Sequence, residues 1–203
     1  RTLRDVAEKT NFAYQKYDVQ LEDIDINKAQ KWESSRASVI FLLDIMVMEF
    51  HDDGTYDQYI HQAIQIQNQE GMDKWAEVVI PSGGNVEIIH ARTITPDGTV
   101  WAVSNVQDLN QQQSLSMYGL EPGAIVEYAY LQRTGRDDPG MNVNSGGYYF
   151  GSDDDPMLLS KLTMIKPNHL PFHLASHPAD LTPEISQEAG KTVYQWEKWM
   201  QDG

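Results

Sequence analysis

The chain has no cysteine in its 203 residues. Disulfides, thiolate metal sites and a cysteine nucleophile are therefore excluded within it. Basic residues are scarce: 15 Lys plus Arg stand against 30 Asp plus Glu, a formal charge of −15. Phosphate backbones are held by clustered Lys and Arg, so nucleic acid is not an expected partner. Anionic membrane surfaces are disfavoured for the same reason. No apolar run approaches the roughly 20 residues that span a bilayer. The longest candidate, residues 39–48, is far shorter and contains Asp44. Membrane insertion is not expected. Glycine and proline are both missing from residues 1–50, so nothing there punctuates a helix. The chain begins at Arg1 rather than Met, as expected of a fragment or a processed chain, and no signal-peptide pattern stands at its start.

What is present suffices for a packed core. Hydrophobic residues make up 40% and charged residues 22%, at a length that suits one large domain or two small ones. Val6, Ala7, Phe12, Ala13 and Tyr14 suit a helical stripe, and Asp25 is placed to cap a second short helix through Ala29 and Trp32. Residues 1–37 thus read as a helical leader and residues 38–203 as a β domain. From Val39 the pattern is that of a strand apolar on both faces: Val39, Phe41, Leu43, Ile45 and Val47 share one parity, Ile40, Leu42, Met46 and Met48 the other. His51-Asp52-Asp53-Gly54 predicts a hairpin turn, and residues 56–67 predict a half-buried partner strand with glutamines on a wet face.

The same grammar continues. Short strands are predicted over 75–80, 86–95, 99–103, 124–133, 158–165 and 192–196. Ser82-Gly83-Gly84-Asn85, Pro96-Asp97-Gly98 and Pro122-Gly123 supply turns, and 135–147 reads as a loop. Along 124–133, Ile125, Glu127, Ala129 and Leu131 alternate with Val126, Tyr128 and Tyr130. Gln111-Gln112-Gln113 is the one low-complexity patch. Strands at short spacing without βαβ alternation predict a mainly β fold, a large antiparallel two-sheet β-sandwich with a short helical leader.

Four blocks carry a family resemblance. They are the strand at 39–50 with its Asp52-Asp53-Gly54-Thr55 turn, Ala91-Arg92-Thr93-Ile94-Thr95-Pro96-Asp97-Gly98, Leu120-Glu121-Pro122-Gly123-Ala124-Ile125-Val126-Glu127-Tyr128, and Thr192-Val193-Tyr194-Gln195-Trp196-Glu197. In order and spacing these resemble the bacterial domain of unknown function found N-terminal to transglutaminase-like, papain-like cysteine cores. The resemblance runs from about Ser38 to the end. It implies a large β-sandwich without activity of its own, beside a core carrying a Cys, His and Asp triad. Without cysteine, no family nucleophile can be carried over. The resemblance further implies a transglutaminase-like neighbour as partner and an extracytoplasmic or periplasmic location. The leader is compatible with the end of an upstream helical repeat region.

Several local sets bear on chemistry. His169, His173 and His177 stand four apart, but Pro171 and Pro178 break any helix that would stack them. In an extended chain neighbouring members lie roughly 13 Å apart, too far to share one ion. Asp153-Asp154-Asp155 lacks the ligand spacing of a calcium loop and reads as a solvated loop. Asp52-Asp53-Gly54 reads as a turn. Ser114 and Ser116 lack a nucleophile-elbow context. Tyr148, Tyr149, Phe150, Trp196 and Trp199 suit either core packing or a sugar platform, and the exposure of these and of Trp75 and Trp101 separates the two. No catalytic, cofactor or metal residues are assigned, and chelation is expected to leave the melting temperature unchanged. The sequence reads as a non-catalytic module that positions or regulates a neighbouring domain; a carbohydrate-binding or carbohydrate-active sandwich is the alternative.

Gly98 closes a predicted tight hairpin, whereas Gly146 lies in a predicted long loop. Gly98→Val is expected to cost about 1–3 kcal/mol by forcing a β-branched residue to positive φ. Gly146→Val is expected to cost little. Paired urea titrations check this, and equal midpoints would mean the hairpin is misread.

Overall fold

The structure is a computed structural model that describes residues 13–32, 36–83, 85–103, 105–109, 112–134, 147–152, 154–178 and 181–203. It is mainly β, as the sequence predicts. Strand β1 (Val39–Phe50) and β2 (Tyr56–Ile66) form the first hairpin. Helix α2 (Gln69–Trp75) follows the short helix α1 (Tyr14–Tyr17) in chain order. Next come β3 (Glu77–Pro81), β4 (Val86–Ile94), β5 (Val100–Ala102), β6 (Val106–Leu109), β7 (Gln112–Ser116) and β8 (Ile125–Thr134). Strands β9 (Met157–Pro167), β10 (Glu184–Glu188) and β11 (Lys191–Gln201) complete the chain. Eight strands make one sheet in the order β10-β11-β9-β1-β2-β8-β4-β5, and a second sheet is β3-β7-β6.

Strand β1 lies inside the large sheet, with β2 antiparallel on one side and β9 parallel on the other. The β1–β9 pair is the parallel exception in an otherwise antiparallel sheet. Both strands are buried along nearly their whole length, the pattern that parallel strands covered on two faces require. The parity read for β1 needs correction. Leu42 is an extra residue between the pairs Phe41↔Ile64 and Leu43↔Ala63. This bulge turns Leu43, Ile45 and Val47 onto the face of Ile40 and Leu42, and leaves Asp44, Met46 and Met48 on the other. One core thus collects Ile40, Leu42, Leu43, Ile45 and Val47 with Tyr17, Leu21, Ile24, Ala29 and Trp32 of the leader. On the opposite face, Val39, Ile64, Ile66, Val126 and Tyr128 pack against Val78, Ile80 and Leu115 of the small sheet. Farther along that face, Met48, Phe50, Leu162, Met164 and Trp196 meet Phe150 and Phe172. Strand β2 is half-buried as predicted: Gln58, Gln62 and Gln65 are partly exposed, while Tyr59, His61, Ala63, Ile64 and Ile66 are buried.

The leader residues that are described pack onto the sheet. Val6, Ala7 and Phe12 lie outside the described residues, while Ala13 and Tyr14 pack on the core. Asp25 does accept the Asn27 N–H, at 3.2 Å, but the segment it starts, Ile26–Trp32, is a 3-10 helix. In that geometry residues three apart eclipse, so Ala29 and Trp32 are buried together. Trp75 belongs to α2, which the sequence reading missed; Asn68 caps it by accepting the Gly71 N–H at 3.1 Å. Strands β6, β7 and β10 were missed as well. They are short and largely polar, so pairing rather than apolar alternation defines them. Gln112 and Gln113 of the supposed low-complexity patch lie in β7. The turn at Gly98 is present, with φ of 87° and the Gly98 N–H donated to Thr95 O at 2.8 Å; Gly146 lies outside the described residues.

Gly71 is where α2 touches the start of β1. An added Cβ would lie 2.2 Å from Ser38 O, a backbone atom that also accepts the Gln67 N–H. Helix propensity favours Ala over Gly by about 1 kcal/mol, but the clash must push the helix off the strand, and overpacking costs about 1–3 kcal/mol. Gly71→Ala is expected to lower the urea midpoint despite the better helix former. An unchanged or higher midpoint would show that this contact is loose.

Candidate functional site

Residues from four elements meet between the leader and the sheet. Strand β8 runs between β2 and β4. On its leader face it carries Glu127 and Ala129. His61 of β2 and His90 of β4 both pair with Ala129, from opposite sides. The small alanine side chain leaves room for the two rings to meet over it, perpendicular, with centroids 5.2 Å apart. Arg92 of β4 pairs directly with Glu127.

A second bulge makes this possible. Ile89 is an extra residue between the pairs Ile88↔Tyr130 and His90↔Ala129. Regular alternation from Ile88 would have sent residues 90 and 92 to the Tyr130 face. The inserted residue turns His90 and Arg92 onto the Glu127 face instead.

The leader closes the cluster from above. Asp18 Oδ1 lies 2.8 Å from His61 Nδ1, and Asp18 Oδ2 accepts the Tyr59 O–H at 2.9 Å. Tyr14 stacks on Tyr59, with centroids 4.2 Å apart. His61 Nε2 faces Glu127 Oε1 at 3.2 Å, and Glu127 Oε2 accepts the Arg92 Nε–H. Glu22 adds a longer ion pair to Arg92 at 3.6 Å. His61 has no exposed surface, and the Asp18 and Glu127 carboxylates are almost fully buried.

Burial by itself disfavours the charged imidazole of His61. Its bonds to Asp18 and Glu127 outweigh that cost and raise its pKa to about 9. Glu127 is also pushed up by burial, but His61 and Arg92 overcome this and hold it down at about 2. His90 is shifted down, chiefly by burial, with Glu127 opposing. Its Nε2 is buried, accepts or donates no hydrogen bond, and lies 3.8 Å from Glu127 Oε1. The cluster therefore holds a protonated histidine between two carboxylates beside a neutral one. No serine or threonine hydroxyl bonds to His61 among the described residues, so the Asp18–His61 pair is not oriented toward a nucleophile.

The sets weighed from the sequence are not brought together in this way. His169 and Asp52 form an exposed ion pair at 3.3 Å, and His173 and His177 are exposed on the same extended stretch. Asp153 lies outside the described residues and Asp154 is exposed. Asp155 departs from the solvated-loop reading: it is buried and pairs with Lys74 at 2.9 Å, because the loop tucks against α2. Ser114 is buried and donates to Glu77 at 2.9 Å. Tyr148 donates to Asp44 and shares a hydrogen bond with the Ser160 hydroxyl, Phe150 packs edge-on to Tyr148, and Trp196 is core. Tyr149 and Trp199 are exposed, but Trp199 lies under the Lys28 ammonium. Trp75 packs on Phe41, and Trp101 is half exposed. These aromatics form no shared platform.

His61, His90, Asp18 and Glu127 escaped the sequence reading. One signal was available: Glu127 sits at a core parity of an alternating strand, where a charge demands a buried partner. Its partners stand far away in sequence, and the bulge that delivers two of them has no local mark.

Known proteins place this architecture. The model of a family described as a domain of unknown function with solved structure, DUF3857, matches residues 52–198. The chain belongs to this family. The match leaves out the leader and β1, the first of the four resembling blocks in large part. No curated protein matches. Among solved structures, a suspected protease from Parabacteroides distasonis is 16% identical with a TM-score of 0.65, over 80% of this chain and 35% of that one. An M1 zinc metallopeptidase from Deinococcus radiodurans is 11% identical with a TM-score of 0.41, over 80% of this chain and 39% of that one. Aminopeptidase A from Legionella pneumophila, solved with aspartic acid, is 9% identical with a TM-score of 0.40, over 91% of this chain and 21% of that one. The chain thus spans well under half the length of each of these three structures. The first likeness shows a shared fold.

The cluster makes stability depend on pH in a defined direction. His61 has its folded pKa, about 9, above the ordinary 6.5, so its contribution is full below 6.5 and lost as pH rises through 9. Glu127 has its folded value near 2, below 4.5, so its contribution is full above 4.5 and lost on acidification through 2. His90, shifted down, adds a loss as pH falls below 6.5. Stability is expected to peak near pH 6.5 and to fall by roughly 2–3 kcal/mol toward pH 9. Urea midpoints at the two pH values check this. His61→Gln should flatten the alkaline limb, and an equally steep limb in that variant would remove His61 as its cause.

Proposed function

We propose that this domain is a non-catalytic β-sandwich module of a longer bacterial protein that packs against a neighbouring domain and positions it. The carrying observation is an apolar sheet edge. Val100 (53%) and Trp101 (50%) are exposed on β5, the last strand on that side of the large sheet, and Tyr118 (44%) is exposed beside Gly119. The Trp101 indole covers Gly119, where a Cβ would lie 2.6 Å from the ring, so Trp101 and Tyr118 belong to one surface. Edge strands of free-standing domains are blunted by charge, proline or a covering element. The sequence of β5, Val100-Trp101-Ala102, carries none of the first two. Tryptophan and tyrosine are also the residues that interfaces favour.

The small share of the Parabacteroides distasonis chain that is covered supports the same reading, since most of that chain lies beyond the shared fold. The sequence resemblance makes the neighbour a transglutaminase-like core, and any catalysis would belong to that core. The sugar-binding alternative needs an exposed aromatic platform and finds no support in the packing of Tyr148, Phe150 and Trp196.

Hydroxyl-radical footprinting of this chain and of the longer parent protein tests the proposal. Trp101 and Tyr118 should be oxidised readily in the isolated chain and protected severalfold in the parent, and Trp101→Asp should abolish the protection of Tyr118. Equal oxidation in both proteins would overturn docking at this edge. The isolated chain should turn over no peptide, γ-glutamyl or glycoside substrate; turnover that stays with the protein through purification would overturn the non-catalytic reading.

A further inference from the structure

His61, His90 and Glu127 each offer one ligand atom, and the three atoms lie within 4.8 Å of one another. We propose that these three side chains form a binding site for a single divalent first-row transition ion of the zinc type, held on the sheet beneath the leader. The distances to Glu127 suit such an ion. His61 Nε2 stands 3.2 Å and His90 Nε2 3.8 Å from Glu127 Oε1. Ligands about 2.0–2.2 Å from a tetrahedral zinc stand about 3.2–3.6 Å from one another, so small side-chain movements close the site. Two imidazoles and one carboxylate select a transition ion over calcium or magnesium, which favour oxygen.

Two of the ligands are already held from behind. Asp18 accepts from His61 at Nδ1, which fixes the tautomer with Nε2 free to bind metal. Arg92 holds Glu127 through Oε2 and leaves Oε1 toward the histidines. The third ligand atom, His90 Nε2, is buried and has no hydrogen-bond partner, a cost that a metal would remove. Three protein ligands leave a fourth position for water.

In the metal-free cluster protonated His61 donates from Nδ1 to Asp18 and from Nε2 to Glu127. An entering ion takes the place of the Nε2 proton, which leaves to solvent, and the net charge gained is +1. The carboxylates of Asp18, Glu127 and Glu22 offset the Arg92 and metal charges. Because Asp18 belongs to the leader, the ion would strengthen the same contact that holds residues 13–24 on the sheet. This departs from the sequence-based expectation of no metal, which considered the His169 and Asp153 sets and not this one.

The experiment is equilibrium dialysis of the chelator-stripped full chain against zinc at pH 7.5, with Co²⁺ absorption as a second reading. One zinc per chain should bind, Co²⁺ should give visible bands of a four- or five-coordinate site, and zinc should raise the melting temperature by several degrees. His90→Ala, at a partly exposed position, should weaken binding at least about tenfold, and Glu127→Gln should do the same. The triple replacement of His169, His173 and His177 by Ala should leave binding unchanged. No bound zinc would overturn the proposal. So would binding that survives His90→Ala, or that disappears in the triple variant, since the loop histidines would then be the ligands.

Discussion

Burial of β1 on both faces is the constraint on which the rest of the structure depends. Val39, Ile40, Leu42, Leu43 and Ile45 have no exposed surface, and burying each such side chain stabilises by about 1.5–3 kcal/mol. A strand of this kind cannot lie at an edge or against water. It must be flanked by strands and covered above and below. Strands β2 and β9 meet the first need, and β9 does so in parallel because it too is apolar on both faces. The leader covers one side. The small sheet and the segment around Phe150 and Phe172 cover the other.

The leader is held by polar contacts as well as by its apolar residues. Asp18 reaches Tyr59 and His61, Tyr17 donates to Glu188 at 3.1 Å, and the Trp32 indole donates to Asp202 at 2.7 Å. These contacts are spread from β2 to the end of the chain, so the leader crosses the sheet rather than resting on one strand. Its deepest anchor is Asp18, whose carboxylate would be a severe liability without His61 and Tyr59 beneath it. The cluster is thus a means of burying charge that a cover of purely apolar residues would not need. That makes it the place in the fold where chemistry other than packing is concentrated.

Much of the architecture was legible in local patterns. The hairpin at Asp52-Asp53-Gly54, the turn at Pro96-Asp97-Gly98 and the alternation of β8 all follow from short-range rules about positive φ and period-two burial. The edges of that legibility are equally physical. Strands β6 and β10 bury little, and β7 buries only Ser114 and Leu115, so these strands carry no apolar alternation. The two bulges are single extra residues, Leu42 and Ile89, and no residue type marks them, yet each reverses the face of everything after it.

By itself the sequence determined the class of fold, the absence of thiol chemistry, the net negative charge and most turns. Each of these depends on composition or on residues within a few positions of one another. Only the tertiary structure decided that β1 and β9 run parallel, that Asp155 is buried against Lys74, and that His61, His90, Glu127 and Asp18 share one cluster. Those facts join residues more than 100 positions apart, as Phe41 and Met157 are in the β1–β9 pair and Asp18 and Glu127 are through His61. Their juxtaposition depends on strand order and on two register shifts, and both are set by the packing of the whole sheet.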